Sequence, residues 1–128
     1  MEDYRIFFSS TVDGERTARR CKGDFREADG GFRLRFSDGE SEISLAYDGV
    51  AMTVVRRAET TGTYVFREGL KTEGKLLSPY GEIPVGILTE TLSVGKTERG
   101  TVIRAAYGAE FGGGTSRCEI MICVAEGT

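Results

Sequence analysis

Four Asp-Gly dipeptides, Asp13-Gly14, Asp29-Gly30, Asp38-Gly39 and Asp48-Gly49, punctuate the first half of this 128-residue chain. Asp-Gly tolerates the positive backbone angles of a two-residue hairpin turn, so each dipeptide marks a place where an antiparallel strand pair reverses. The last three lie nine and ten residues apart, the repeat of a β-meander. The stretches between them alternate as half-buried strands should. Phe32, Leu34 and Phe36 share one parity, with Arg33 and Arg35 on the other; Ile43, Leu45 and Tyr47 repeat the pattern, and Val50, Met52 and Val54 continue it. Tyr64 and Phe66 follow past Gly62. Near the end, Ile103, Ala105, Tyr107, Ala109 and Phe111 form one stripe and Cys118, Ile120, Ile122 and Val124 another. Glu15 to Glu27 is the nearest approach to a helical pattern, with Ala18, Cys21 and Phe25 three and four apart. Gly23 interrupts it and tight turns flank it, so it reads as a bent strand. The expectation is nine or ten strands.

Sequential strands on short turns make a meander, and a meander of this length best removes its exposed edges by closing. The fold expected is therefore all-β, a closed antiparallel meander barrel of about eight to ten strands. Eighteen glycines, roughly twice the usual share, are spread without a period, and seven of them follow an acidic residue, as turn glycines would. A chain of this size can bury a core without metal or disulfide staples. No linker or low-complexity stretch divides it, so residues 1–128 read as one domain.

A set of short signals occurs in order along the chain. Leu45-Ala46-Tyr47 ends one strand and Val54-Val55-Arg56-Arg57 the next. Tyr64-Val65-Phe66-Arg67-Glu68-Gly69 is an aromatic strand closed by glycine, and Ser78-Pro79-Tyr80-Gly81-Glu82-Ile83 follows. Then come Thr89, the Ile103 to Tyr107 strand, and Ile120-Met121-Ile122. In this order and spacing the chain from Phe32 onward resembles the YwiB-like family, bacterial proteins of unknown function with a lipocalin-like (calycin) barrel. Ser78 stands where that family's Thr-x-Tyr-Gly turn has threonine. The resemblance implies a lipocalin-like barrel of eight to ten strands and no particular activity. Lipocalins proper pack a Trp under an Arg at the closed end of the barrel. This chain has no Trp, so their ligand binding does not carry over.

Several chemistries are disfavoured. With no histidine, the commonest general base, the usual nucleophilic triads and most zinc sites are missing. Cys118 and Cys123, five apart in an extended run, have Cα atoms about 16 Å apart and opposite parity, so they neither bridge nor share a metal. Cys21 could pair with either, but free thiols in a reducing compartment are expected. Val94-Gly95-Lys96-Thr97 resembles the end of a phosphate-binding loop, yet Glu90 stands where its first glycine belongs, and the segment reads as a hairpin turn. Gly112-Gly113-Gly114 reads as a loop between strands. Glu40 and Glu42 share one parity beside a turn, where solvated charges belong. No catalytic residue, metal or cofactor is expected.

Net charge is −3, so no overall basic field draws nucleic acid. Basic strands interleaved with Phe and Tyr could suggest a single-stranded nucleic-acid platform, but the acidic balance argues against it. The apolar runs are far too short for a transmembrane helix, and the acidic start Met1-Glu2-Asp3-Tyr4 does not look like a secretory signal, so a cytoplasmic location is expected. The best expectation of function is a non-enzymatic barrel that takes a small apolar or amphipathic molecule in its lumen or mouth. The residues expected to meet it are Tyr47, Met52, Arg56, Tyr64, Phe66, Tyr107 and Phe111, with Arg56 entering the lumen or capping its rim. Arg67 and Arg104, opposite the aromatic stripes, should face water. The rival expectation is a filled barrel acting as a structural or protein-interaction module, with a homodimer as one form of it and off-stripe Val55, Val65 and Met121 as its signal.

Overall fold

The computed structural model describes residues 4–126 and contains no helix among them. Ten strands follow in sequence: β1 Tyr4–Val12, β2 Glu15–Ala28, β3 Gly31–Ser37, β4 Glu42–Tyr47, β5 Ala51–Arg57, β6 Thr61–Arg67, β7 Lys71–Ser78, β8 Gly81–Thr97, β9 Gly100–Phe111 and β10 Gly114–Glu126. Each pairs antiparallel with its neighbours in the chain, and β10 pairs with β1, so the meander closes into a barrel. Closure thereby pairs both terminal strands of the meander, which would otherwise be its edges.

The alternation read from the sequence sets the two surfaces of the wall. Cross-strand partners share a face, so the register ladders Leu34–Leu45–Val54 and Phe32–Tyr47–Met52–Phe66 run around the inside. Eight strands leave an interior just wide enough for side chains, and ten leave more. Here the excess is taken up by large residues: Ile6, Phe32, Leu34, Phe36, Leu45, Met52, Phe66, Ile87, Ile103 and Ile122 are all buried in one cluster. Each such side chain contributes about 1.5–3 kcal/mol by leaving water. The middle of the barrel is packed by its own core.

β2 is a strand along its whole length, as Glu15 to Glu27 was expected to be. Gly23 faces inward in it because a Cβ there would fall 2.3 Å from the Arg35 carbonyl and 2.5 Å from Ile6 Cδ1. The four Asp-Gly turns divide into two kinds. Asp13-Gly14 and Asp29-Gly30 are two-residue turns with both residues at positive φ (48° and 88°, 42° and 80°). Asp38-Gly39 and Asp48-Gly49 instead open wider loops. There the Asp carboxylate accepts two amides, from Glu40 and Ser41 in one loop and from Val50 and Ala51 in the other. Glu40 consequently lies in the loop and not beside Glu42 on a strand.

Two irregularities break the regular ladder. β6 and β7 pair only at Thr61–Leu77, Gly62–Leu76 and Thr63–Lys75. Beyond them the strands splay and the Thr72 hydroxyl donates to the Val65 carbonyl across the gap. The second is a bulge in β8 between Thr89 and Thr91, where Glu90 is the extra residue. A one-residue bulge reverses side-chain parity. Val85, Ile87 and Thr89 point inward before it, whereas Leu92, Val94 and Lys96 share the inward face after it, opposite Ala105, Ile103 and Thr101. Val94 to Thr97 is thus the end of a strand, not a turn; the turn is Glu98-Arg99.

Candidate functional site

The barrel has two ends, and the inward residues nearest each are of different kinds. At the end holding the β1–β2, β3–β4 and β5–β6 turns the groups are polar. Arg56 lies on the inward face of β5, opposite Ile43 and Gly62. Its Nε donates to Ser41 Oγ at 3.0 Å, and its Nη2 stands 3.8 Å from Asp38 Oδ2. The Ser41 hydroxyl lies 3.0 Å from both Asp38 oxygens, and Arg19 Nη1 donates to the Asp38 carbonyl at 3.3 Å. The Asp38 side chain is only 7% exposed. Burial pushes its carboxyl up, but the amides of Glu40 and Ser41, the Ser41 hydroxyl and Arg56 outweigh burial and hold it below the usual carboxylate range. The β3–β4 loop is thereby pinned over this end as a plug.

The opposite end, where β2–β3, β4–β5 and β8–β9 turn, is aromatic and open. Tyr4 and Phe25 pack at 5.5 Å, Phe25 and Phe32 at 5.5 Å, and Phe32 and Tyr47 at 5.4 Å, a run of four rings across β1 to β4. Phe25, Phe32, Tyr47, Val94, Lys96 and Thr101 are among the residues lining a cavity of about 390 Å³ here. Its rim carries an ion pair, Lys96 Nζ to Glu27 Oε1, at 2.8 Å. β8 and β2 are not neighbours in the barrel, so this pair straps the opening from one wall to another. Both partners are more than half exposed, and such a pair is worth at most about 1 kcal/mol. A ligand carrying its own charge can displace it.

The residues expected from the sequence to meet a ligand do not converge. Tyr47 lines the aromatic mouth, its hydroxyl donating to the Gly49 carbonyl at 3.0 Å. Met52 and Phe66 are core residues, 0% and 2% exposed. Phe66 packs edge-on to Tyr107 at 4.7 Å, and burial, with Cys118 adding to it, pushes the Tyr107 phenol up. Burial also raises Tyr64, with Arg56 drawing it partly back. Arg56 caps the polar end. Phe111 is off the lumen altogether: β9 ends at this residue, and it stands 52% exposed beside the Gly112-Gly113 turn. Val55, Val65 and Met121 are half-buried on the outer wall, and Arg67 and Arg104 are exposed. Sequence reasoning missed Phe25, Val94 and Lys96 as mouth residues. Phe25 lay in the one segment of ambiguous period, and the bulge at Glu90 hid the inward parity of the other two.

The three cysteines are free thiols, Cys118 buried and facing inward, Cys123 on the outer face. Among the described residues no three side chains of metal-binding type converge, and no helix is long and apolar enough to cross a membrane.

Comparison with known proteins agrees with this architecture. A family model described as "Domain of unknown function (DUF1934)" matches residues 8–122. Among solved structures the chain is similar to the ywiB protein from Bacillus subtilis, with a TM-score of 0.79 and 16% identity over 99% of this chain and 93% of the other. At that identity the likeness speaks for the fold. No curated protein matches.

Proposed function

The chain belongs to the YwiB-like DUF1934 family, and from that premise and the geometry of the open mouth we propose that it is a non-enzymatic barrel binding a small amphipathic molecule. The observation that carries this reading is the mouth itself. Its volume falls in the range of small-molecule sites, and it combines aromatic walls with a charged rim of Lys96, Glu27 and Asp29. The apolar body of the ligand lies against Phe25, Phe32 and Tyr47, and its anionic head takes Lys96 from Glu27. The bulge at Glu90 favours the same reading, because without it Val94 and Lys96 would point outward; re-aiming side chains is a recurring use of bulges beside sites. The packed middle of the barrel restricts the ligand to the mouth.

Anilinonaphthalene sulfonate, an aromatic anion of fitting size, tests this by fluorescence titration. One saturable site is expected. Tyr47→Ala and Lys96→Met should each weaken it about tenfold, equivalent to 1.4 kcal/mol. Absence of saturable binding to the folded protein would remove the proposal. Native mass spectrometry of protein purified from its own host then shows whether a natural ligand travels with it.

One observation favours an interaction module as the second reading. Leu70, Leu77, Tyr80, Ile83 and Leu88 are exposed along β7, β8 and their turns, with Tyr80 fully so. A mass that doubles with concentration, and stays single in Leu77→Ser/Tyr80→Ser, would move the conclusion to a homodimer.

A further inference from the structure

Outside the lumen, a groove of about 790 Å³ runs along the outer wall of β2 to β5, lined by Lys22, Arg33, Arg35 and Arg57 among others. Arg20 and Arg26, on the outward parity of β2, extend the same wall. All six cations are exposed. None of them lies within 4 Å of a carboxylate among the described residues; the ion pairs there involve Arg19, Arg56, Lys71, Lys96 and Arg117. Asp24 and Glu42 are the acidic residues of the groove, and they sit opposite Arg35 and Arg57 in the register.

Two features mark this wall as more than a solvated face. Arg26 stands directly opposite Arg33 across the β2–β3 ladder, and Arg5 directly opposite Lys22 across β1–β2. Like charges in directly opposed positions destabilise a sheet, and an anionic partner on this wall would relieve both oppositions. The carboxylates of this half of the chain are biased towards the barrel ends as well. Asp13, Asp29, Asp38, Glu40 and Asp48 occupy turns, Glu15, Glu27 and Glu42 stand at or near strand ends, and Asp24 lies within the wall, while the arginines occupy the strands. The net charge of −3 conceals this bias. At physiological ionic strength a charge is felt over about 8 Å, so a ligand on the wall meets the arginines and not the average.

We propose that the outer wall of β2 to β5 binds the phosphate backbone of an RNA double helix. Alternate residues of a strand place Arg33 and Arg35 about 6–7 Å apart, an interval suited to successive phosphates, and the guanidinium fork matches phosphate oxygens. The ring that borders the groove, Phe36, is 5% exposed and belongs to the core, so it gives a base little to stack on. The groove's neutral lining includes Ser37, Ser44, Ala46, Thr53 and Val55, so a single strand would be held poorly. Hydroxyls in that floor suit a helix read by shape and through its 2′-hydroxyls.

Fluorescence anisotropy with a labelled, mixed-sequence RNA duplex and its DNA counterpart tests the assignment on the full chain. Saturable RNA binding is expected at low salt, weakening about 100-fold for a fourfold rise in salt if four phosphates are neutralised. Arg33→Glu/Arg35→Glu should reduce affinity at least tenfold. Lys71→Glu/Lys75→Glu on β7, which changes net charge equally, should change it less than twofold. Arg33→Gln covers the case in which the double reversal does not fold; it relieves the opposition to Arg26, so its Tm should rise while its affinity falls. Equal loss in the β7 variant, DNA duplex binding as tight as RNA, or equal competition by polyglutamate would each overturn the proposal. So would the absence of binding at low salt.

Discussion

At one end of the barrel a buried carboxylate, Asp38, gathers two amides, a hydroxyl and Arg56 and seats a loop over the opening. At the other end a similar Asp-Gly loop keeps its carboxylate, Asp48, outside, and the opening is lined by aromatic rings. The local chemistry is shared, since both carboxylates accept the amides two and three residues on. The difference lies in what stands inside the wall nearby. Arg56 faces the Asp38 carboxylate and Arg19 bonds the Asp38 main-chain carbonyl, so folding inward gives that loop partners. Near the Asp48 loop the inward neighbours are Phe32, which has no donor, and Tyr47, whose hydroxyl donates to the Gly49 carbonyl and not to the carboxylate. One end is closed by polar satisfaction and the other left open by its absence.

That contrast can be broken by mutation, and the largest effect is expected at the aromatic end. Phe32 is 4% exposed and packs between Phe25 and Tyr47, so Phe32→Ala should cost about 3–5 kcal/mol in denaturant unfolding and abolish fluorophore binding. Asp38→Ala should cost about 2–3 kcal/mol by leaving buried donors unpaired, with fluorophore affinity at the far mouth unchanged. Loss of affinity in that variant would mean the ends are coupled. Asp48→Ala should cost clearly less, because its amides can turn to water.

The same contrast sharpens with pH. Asp38 is held below its ordinary carboxylate range, so its contribution is present above the unfolded value of about 4 and is lost as pH falls through the folded value. Thermal unfolding from neutral pH downward should therefore show an acid-side decline in Tm below about pH 4 that Asp38→Asn reduces. An unchanged acid limb in that variant would remove Asp38 as its source. The smallest stability effect is expected at the strap: Lys96→Met should shift stability by less than about 1 kcal/mol while weakening the fluorophore, separating a rim charge from a structural one.

The YwiB-like resemblance, the all-β class and the meander order were legible because the signals for them are local. Asp-Gly turns and two-residue alternation act over a few positions, and Phe32, Leu34, Phe36, Ile43 and Leu45 went inside as their parity required. The same reasoning placed Arg56 on the inward face at a strand end, and the structure puts it there. Phe111 shows the limit of the method. Its parity matches Tyr107, but parity says nothing of where along a strand the barrel ends. Lys96 shows a second limit, since one extra residue at Glu90 reverses every side chain after it and leaves the composition of the strand unremarkable.

By itself, then, the sequence determined the meander of strands and Asp-Gly turns in the first half and the apolar face of its strands, but it misplaced the turn after β8 and the parity beyond Glu90. Only the tertiary structure decided which strands meet across the opening, so that Glu27 of β2 reaches Lys96 of β8. Only it gathered the cations of β2, β3 and β5 onto one wall. The physical reason is the range of the interactions. Backbone geometry and side-chain alternation are set between neighbours in the chain. Closure, bulge parity and the pattern of charge in space are set between residues far apart in it.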